Sequence, residues 1–207
     1  MSSQPLQPVM TFMSFLADYC APLRKKYHNL IRYAETRAKY QASVVCNLHE
    51  TLVSSNLFEK GIGYAIFSRK LISGEIAAGV FRLDVFCLGV RTAYANVMDE
   101  TTYQERIRKT EKQTPLKTIH PACCCKLVDQ CVHFAQNLGF APHKEYALAR
   151  IIFGDVDPGV CPRRFTFGRN GRPTFIPQAE DDAQRRQKIL ALLKAICGPD
   201  GFDYIRD

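Results

Sequence analysis

Apolar residues recur at steps of three and four residues, or at multiples of seven, through the first quarter of the chain. Between positions 22 and 53 they are Leu23, Tyr27, Leu30, Ala34, Val45, Leu48 and Leu52. Because one face of an α-helix repeats every 3.6 residues, this spacing predicts one long helix or two in tandem. We therefore expect residues 1–55 to form a helical N-terminal segment.

The pattern then changes to a run rich in β-branched and aromatic residues, from position 61 to position 90. Such a run, interrupted by Gly74 at a turn, predicts a hairpin of two long strands. Gly79 is the expected site of a β-bulge. Alternation along the second strand places Asp84 beside apolar neighbours.

The string "HPACCCKLVDQC" opens the next helix, with Pro121 at its first position and His120 as its cap. An apolar stripe at helical spacing follows, and Gly139 ends the helix; the stripe comprises Cys124, Leu127, Val128, Cys131, Ala135 and Leu138. Consecutive helical residues point about 100° apart, so three adjacent cysteines suit packing better than one zinc ion. A zinc site, or a catalytic thiol with His120 as base, remains the alternative.

The string "RRFTFGRNGRPTFIP" alternates phenylalanines on both sides of a Gly-Arg-Asn-Gly turn, which predicts a second hairpin. A last amphipathic helix follows it and ends at Gly198-Pro199. The expected fold is α+β: an N-terminal helical segment, a central antiparallel hairpin-based sheet, packed helices, and a C-terminal hairpin plus helix. We expect one domain over residues 1–207, with residues 56–207 as the α+β core.

Composition changes this picture mainly through charge. The 207 residues carry a net charge of +8 with a pI near 9.1, which favours polyanionic partners. The chain lacks a long apolar run and a signal-peptide pattern, so we expect a cytoplasmic protein without a membrane partner. In that compartment nine irregularly spaced cysteines should be free thiols or ligands rather than a disulfide framework.

The basic residues suggest where a polyanion would bind. Arginines interleaved with Phe165 and Phe167 suit phosphate contacts combined with base stacking, and the N-terminal helix adds a basic face. The candidate nucleic-acid-binding residues are Arg163, Arg164, Arg169, Arg172, Arg24, Lys25, Lys26 and Arg32. We therefore expect a nucleic-acid-binding or assembly protein without catalysis or cofactor, whose partner is nucleic acid or another protein. Alternatively, the phenylalanines are simply a buried face.

The second hypothesis is a metal-dependent hydrolase or nuclease with Asp84 as catalytic residue. A strand carboxylate often holds Mg²⁺ in phosphoryl-transfer sites, and Glu50, Asp155 and Asp157 are possible partners. The alternative is a structural Asp84, neutralised by Arg82 or Arg69.

The strings "VFRLDVFCLGVRTAY" and "FTFGRNGRPTFIP" together resemble a family of mostly uncharacterised bacterial proteins. Members pair a strand of the form D-x-x-C-L-G-V-K with an F-G-x-x-G-x-P hairpin, and some carry a SEC-C tail. The resemblance covers residues 46–177 and implies no settled activity. The positions that match are Asp84, Cys87, Leu88, Gly89, Val90, Phe167, Gly168, Gly171 and Pro173. Arg91 replaces the family's lysine, Arg82 replaces an apolar residue, and these 207 residues contain no zinc-binding SEC-C tail.

Overall fold

A computed structural model describes residues 34–205. The chain divides into two units, residues 1–38 and 39–207. Residues 34–42 are helical. The strands are β1 (Asn47–Ser54), β2 (Ile62–Lys70), β3 (Ile76–Asp84), β4 (Gly89–Met98), β5 (Leu116–Thr118), β6 (Thr174–Phe175) and β7 (Asp203–Tyr204). The helices are α1 (Leu57–Lys60), α2 (Glu100–Gln113), α3 (Pro121–Asn137), α4 (Tyr146–Arg150) and α5 (Ala183–Cys197). The predicted α+β class is confirmed.

Five strands form one antiparallel sheet in the order β4-β3-β2-β1-β5. The predicted hairpin is its centre, since β2 and β3 pair along their whole length from Ile62↔Asp84 to Lys70↔Ile76. Gly74 lies in the connecting turn with a φ of 85°, a conformation that favours glycine.

Two predictions about the sheet are wrong. Residues 47–54 form β1 rather than the end of a helix, because pairing with β2 and β5 on both sides overrides their helical spacing. Gly79 lies in regular register with Phe67 and Ala95 instead of in a bulge. A Cβ there would lie 2.7 Å from the Tyr40 hydroxyl and 2.9 Å from the Ala149 carbonyl oxygen. Close packing explains this glycine.

The main core lies between the sheet and α3. The predicted stripe is confirmed: Cys124, Val128 and Cys131 are completely buried, and Leu127 is nearly so. Helix α2 covers part of the other sheet face through Tyr103 and Ile107. A third apolar cluster joins α5 to the C-terminal strands around Phe175. Within residues 34–205, no helix has the length and apolar character needed to span a bilayer.

One cysteine pair departs from the free-thiol prediction. The start of α3 and the loop after residues 158–160 bring the Cα atoms of Cys123 and Cys161 to 5.0 Å, and their sulfurs form a disulfide. The free cysteines in residues 34–205 are Cys46, Cys87, Cys124, Cys125, Cys131 and Cys197. Burial raises the pKa of the Cys124 and Cys131 thiols, so they stay protonated and act as packing residues.

Candidate nucleic-acid interface

A groove of about 940 Å³ opens between α1 and the segment 163–170, which we call the arginine segment. Buried apolar side chains of the core form its floor, and the β1–α1 connection forms one wall. Its lining includes the aromatic and charged side chains of Phe58, Glu59, Phe86, Lys117, Arg163, Arg164, Phe165 and Arg169. Three of the four arginines predicted from the second hairpin therefore line one concave surface.

The arginine segment is fixed at its ends rather than along its length. At one end Cys161 is joined to Cys123, and Lys126 Nζ donates to the Cys161 carbonyl oxygen at 2.9 Å. At the other end the Gly168 amide donates to the Val85 carbonyl oxygen at 2.9 Å. Within residues 34–205, no backbone hydrogen bond involves residues 162–167. The amides of residues 163–167 and the carbonyls of residues 162–167 are therefore left to solvent or a ligand.

The groove is strongly cationic. Lys117, Arg163, Arg164 and Arg169 are exposed, and Glu59 is the one acidic side chain of the described lining. No ion pair among residues 34–205 includes Arg163, Arg164 or Arg169. Charges that are not neutralised by neighbouring carboxylates are free to attract phosphates.

Aromatic rings lie beside these charges. The rings of Phe58 and Phe165 are parallel, with centroids 5.9 Å apart and an interplanar angle of 2°. Phe58 is 39% exposed, so part of this ring pair faces solvent at the mouth of the groove. Phe167 stacks on Phe134 at 5.5 Å, and Phe175 is fully buried. The buried-face alternative therefore holds for Phe175, while Phe165 and Phe167 are only half-buried.

The predicted second hairpin is reduced to a tight turn. Arg169 and Arg172 exchange backbone hydrogen bonds of 2.8 and 3.1 Å, and Asn170 and Gly171 between them have φ values of 56° and 81°. Both positive φ values match a type I′ turn. The arms do not pair further, because β6 instead pairs in parallel with β7.

Arg172 points away from the groove. Its Nε lies 2.9 Å from Asp203 Oδ1, and its Nη2 donates to the carbonyl oxygens of Asp200 and Phe202. Arg172 therefore ties the turn to the C-terminal segment. Arg24, Lys25, Lys26 and Arg32 lie outside the described residues.

Asp84 stabilises the turn that carries Phe86, a residue of the groove lining. Its carboxylate Oδ1 accepts hydrogen bonds from the amides of Phe86 and Cys87 at 3.1 and 2.9 Å, as in an Asx turn. The same turn receives the Gly168 amide on Val85 and the Thr174 amide on Phe86. Asp84 thus shapes the turn on which the arginine segment rests.

The partner of Asp84 differs from the one predicted. Arg91 Nη1 lies 3.9 Å from Asp84 Oδ2, whereas Arg82 pairs with Glu180, and Arg69 donates to backbone carbonyl oxygens. Asp84 is 2% exposed, and this burial raises its pKa to about 6 despite the opposing effects of Arg91 and the turn amides. The carboxylate is therefore enclosed rather than facing a cleft.

Arg91 lowers the pKa of both carboxylates, but the net shift of the Asp181 pKa is downward, opposite to that of Asp84. Burial favours a higher pKa for Asp181, but two hydrogen bonds from Arg91 Nη2, at 2.6 and 2.7 Å, and one from the Gln178 amide bring the pKa below its ordinary value. Arg91 is thus held mainly by Asp181. In residues 34–205, no cluster of three or more His, Cys, Asp or Glu side chains is placed to hold a metal ion.

Comparison of the chain with family models, curated proteins and solved structures gave no match. The site therefore rests on its own geometry. Sequence reasoning missed Phe58 and Lys117 as groove residues. Phe58 is a single aromatic residue next to Leu57 in a short connection after a strand, and Lys117 is one basic residue on a short edge strand, so neither stands out from the sequence pattern.

Proposed function

We propose that this protein binds single-stranded nucleic acid in the groove beneath the arginine segment. The observation that carries the proposal is the combination of three unpaired arginines with a partly exposed pair of parallel phenylalanine rings in one concave surface. Cationic side chains attract phosphates of any sequence, and aromatic faces accept unstacked bases.

The aromatic pair favours a single strand over a duplex. A base inside a duplex is already stacked on both sides and cannot reach a side-chain ring without being extruded. In a single strand each base offers a free face, and stacking on an aromatic side chain contributes about 1 to 3 kcal/mol per base. Phe58 at the mouth of the groove is the exposed ring of the pair.

The alternative of a metal-dependent hydrolase has less support. Oδ1 of Asp84 is occupied by turn amides, Oδ2 faces Arg91, and the side chain is enclosed. We therefore assign the groove a binding role and Asp84 a role in shaping the turn beneath it.

The test is fluorescence anisotropy with a labelled single-stranded oligonucleotide of mixed sequence, titrated at several salt concentrations. Replacing Arg163, Arg164 and Arg169 together by Ala should weaken binding at low salt. It should also reduce the slope of log K against log salt by about 2, because each lost phosphate contact on a single strand contributes about 0.7.

A charge-matched control variant distinguishes the loss of contacts in the groove from a general loss of positive charge. Arg106, Arg108 and Lys109 are exposed cations on α2 and do not line the groove, so their triple Ala variant has the same total charge. Phe58→Ala should weaken binding with an unchanged salt slope. Equal losses in the two triple variants, or wild-type binding that prefers a matched duplex, would contradict the proposal.

A further inference from the structure

A second cavity lies apart from the groove, between the start of β4, the chain after α3, and α5. Its volume is about 400 Å³, within the range of small-molecule sites. It shares no lining residue with the groove. Its polar lining side chains are Arg91, His143, Arg185 and Lys188, and its larger apolar ones are Leu88, Val90, Phe140, Ile189 and Leu192.

The polar side chains of this cavity are all hydrogen-bond donors. His143 Nδ1 accepts from the amides of Ala93 and Glu145, each at 3.3 Å, so Nδ1 carries no proton and the ring N–H is on Nε2. Arginine and lysine have no acceptor atoms at all. No Asp, Glu, Asn or Gln occurs in the described lining. Such a lining fits a ligand group that only accepts hydrogen bonds.

The buried side chain of Arg91 is a second indication that the cavity binds a hydrogen-bond acceptor. Its side chain is 1% exposed, yet Nε has no hydrogen-bond partner among residues 34–205, and Nη1 has only the Asp84 carboxylate nearby, at 3.9 Å. Buried N–H groups are rarely left without an acceptor, and such exceptions often mark an ion or water site. An anionic ligand group at the Arg91 wall would supply acceptors at this position.

The acidic side chains near the cavity lie behind its lining. Arg91 faces three carboxylates, with Nη2 close to Asp181 and Glu180 and Nη1 3.9 Å from Asp84 Oδ2, and Arg185 Nε lies 2.9 Å from Asp181 Oδ1. Lys188 is exposed and forms no ion pair within residues 34–205. An anion would therefore find a net attraction at the rim formed by Arg185 and Lys188.

We propose that this cavity binds a small amphiphilic carboxylate, with the carboxylate on the donor side and a short apolar chain against the leucine and isoleucine wall. The donor-only polar lining selects the carboxylate, and the apolar wall selects the chain. This site is independent of nucleic-acid binding in the groove.

Three small molecules that differ in charge and chain length test the proposal by ¹H–¹⁵N NMR titration of the 207-residue protein. Hexanoate carries both features, hexanol lacks the charge, and acetate lacks the chain. Hexanoate should shift the amide signals of Val90, Gly139 and Lys188 and bind at least tenfold more tightly than either of the others. Equal binding of hexanol or acetate, or shifts confined to other residues, would overturn the proposal.

Two lysines on α5 supply a matched pair of variants. Lys188 lines the cavity, whereas Lys194 is exposed on the same helix outside it, so both substitutions are expected to leave the fold intact. Lys188→Glu should weaken hexanoate binding tenfold or more, and Lys194→Glu should leave it unchanged. Equal effects of the two variants would mean that only net charge matters, which would also overturn the proposal.

Discussion

Replacing Asp84 by asparagine should change how the stability of the protein depends on pH. The side chain is 2% exposed, and burial raises its pKa from 3.8 to about 6. An asparagine at this position would keep an Oδ1 acceptor for the amides of Phe86 and Cys87. Arg91 would also keep its pairing with Asp181 and Glu180. The substitution therefore removes a buried charge without leaving a cation unpaired.

The sign follows from proton binding. Between pH 3.8 and about 6 the folded state holds a proton on Asp84 that the unfolded chain has lost, so stability falls as pH rises through this window. At 1.36 kcal/mol per pKa unit the wild type loses about 1 kcal/mol by pH 4.5 and about 3 kcal/mol by pH 7.5 relative to acid conditions. The asparagine side chain has no proton to lose. The unfolding free energy of the variant relative to that of the wild type should therefore rise by about 2 kcal/mol between pH 4.5 and pH 7.5.

Urea unfolding of both proteins at pH 4.5, 5.5, 6.5 and 7.5, followed by circular dichroism, measures this difference. The control is Glu105→Gln, the same carboxylate-to-amide change at an exposed position of α2. Its difference from the wild type should stay nearly constant over the series. The reasoning would be refuted if the difference in unfolding free energy between Asp84→Asn and the wild type stayed constant with pH, or if the wild type became the more stable of the two as pH rises. Either result would show that Arg91 keeps Asp84 ionised.

Four further substitutions test backbone conformation, packing and cross-links in the fold by urea unfolding. Gly89→Ala should destabilise the fold by about 3 kcal/mol, because φ is 70° and the new Cβ would lie 2.5 Å from Ala135 Cβ. The control is Gly74→Ala, which also has a positive φ but open space around it, and it should destabilise the fold by only about 1 kcal/mol. Cys161→Ser should cost about 4 kcal/mol, since the disulfide joins residues 38 positions apart; an equal stability of oxidised and reduced protein would contradict this. Tyr40→Phe should cost about 1 kcal/mol by removing a buried 2.7 Å hydrogen bond to the Ala149 carbonyl oxygen, and an unchanged stability would count against that bond.

The elements that sequence patterns predicted well are those whose signal is local. Helix α3 begins at Pro121 and has the expected buried stripe, because its apolar spacing and its terminal residues agree. The central hairpin likewise has both of its strands and its turn within one continuous stretch. In both cases neighbouring residues along the chain also contact each other in the fold.

The elements that were predicted wrongly depend on distant partners. Residues 47–54 carry leucines at a helical interval, yet they become β1 because β2 pairs with residues 47–53 and β5, a distant segment of the chain, pairs with residues 52–54. The arms of the second hairpin separate because Thr174 pairs with Asp203 and its amide is bound by Phe86. The groove combines the β1–α1 connection with the arginine segment, so its composition could not be read from any single stretch.

A β-bulge in β4 determines which arginine lies beside the buried Asp84 carboxylate. Arg82 pairs with Thr92, and the next residue, Leu83, pairs with Val90, so Arg91 is the extra residue of a bulge in β4. A bulge breaks the alternation of side chains and redirects the extra one. If the side chains of β4 alternated regularly, Asp84 would have to find a cationic partner on its own strand, as the sequence predicted with Arg82. The bulge instead brings Arg91 to the Asp84 carboxylate and to Asp181, and thereby closes the polar cluster beneath the turn that positions the arginine segment.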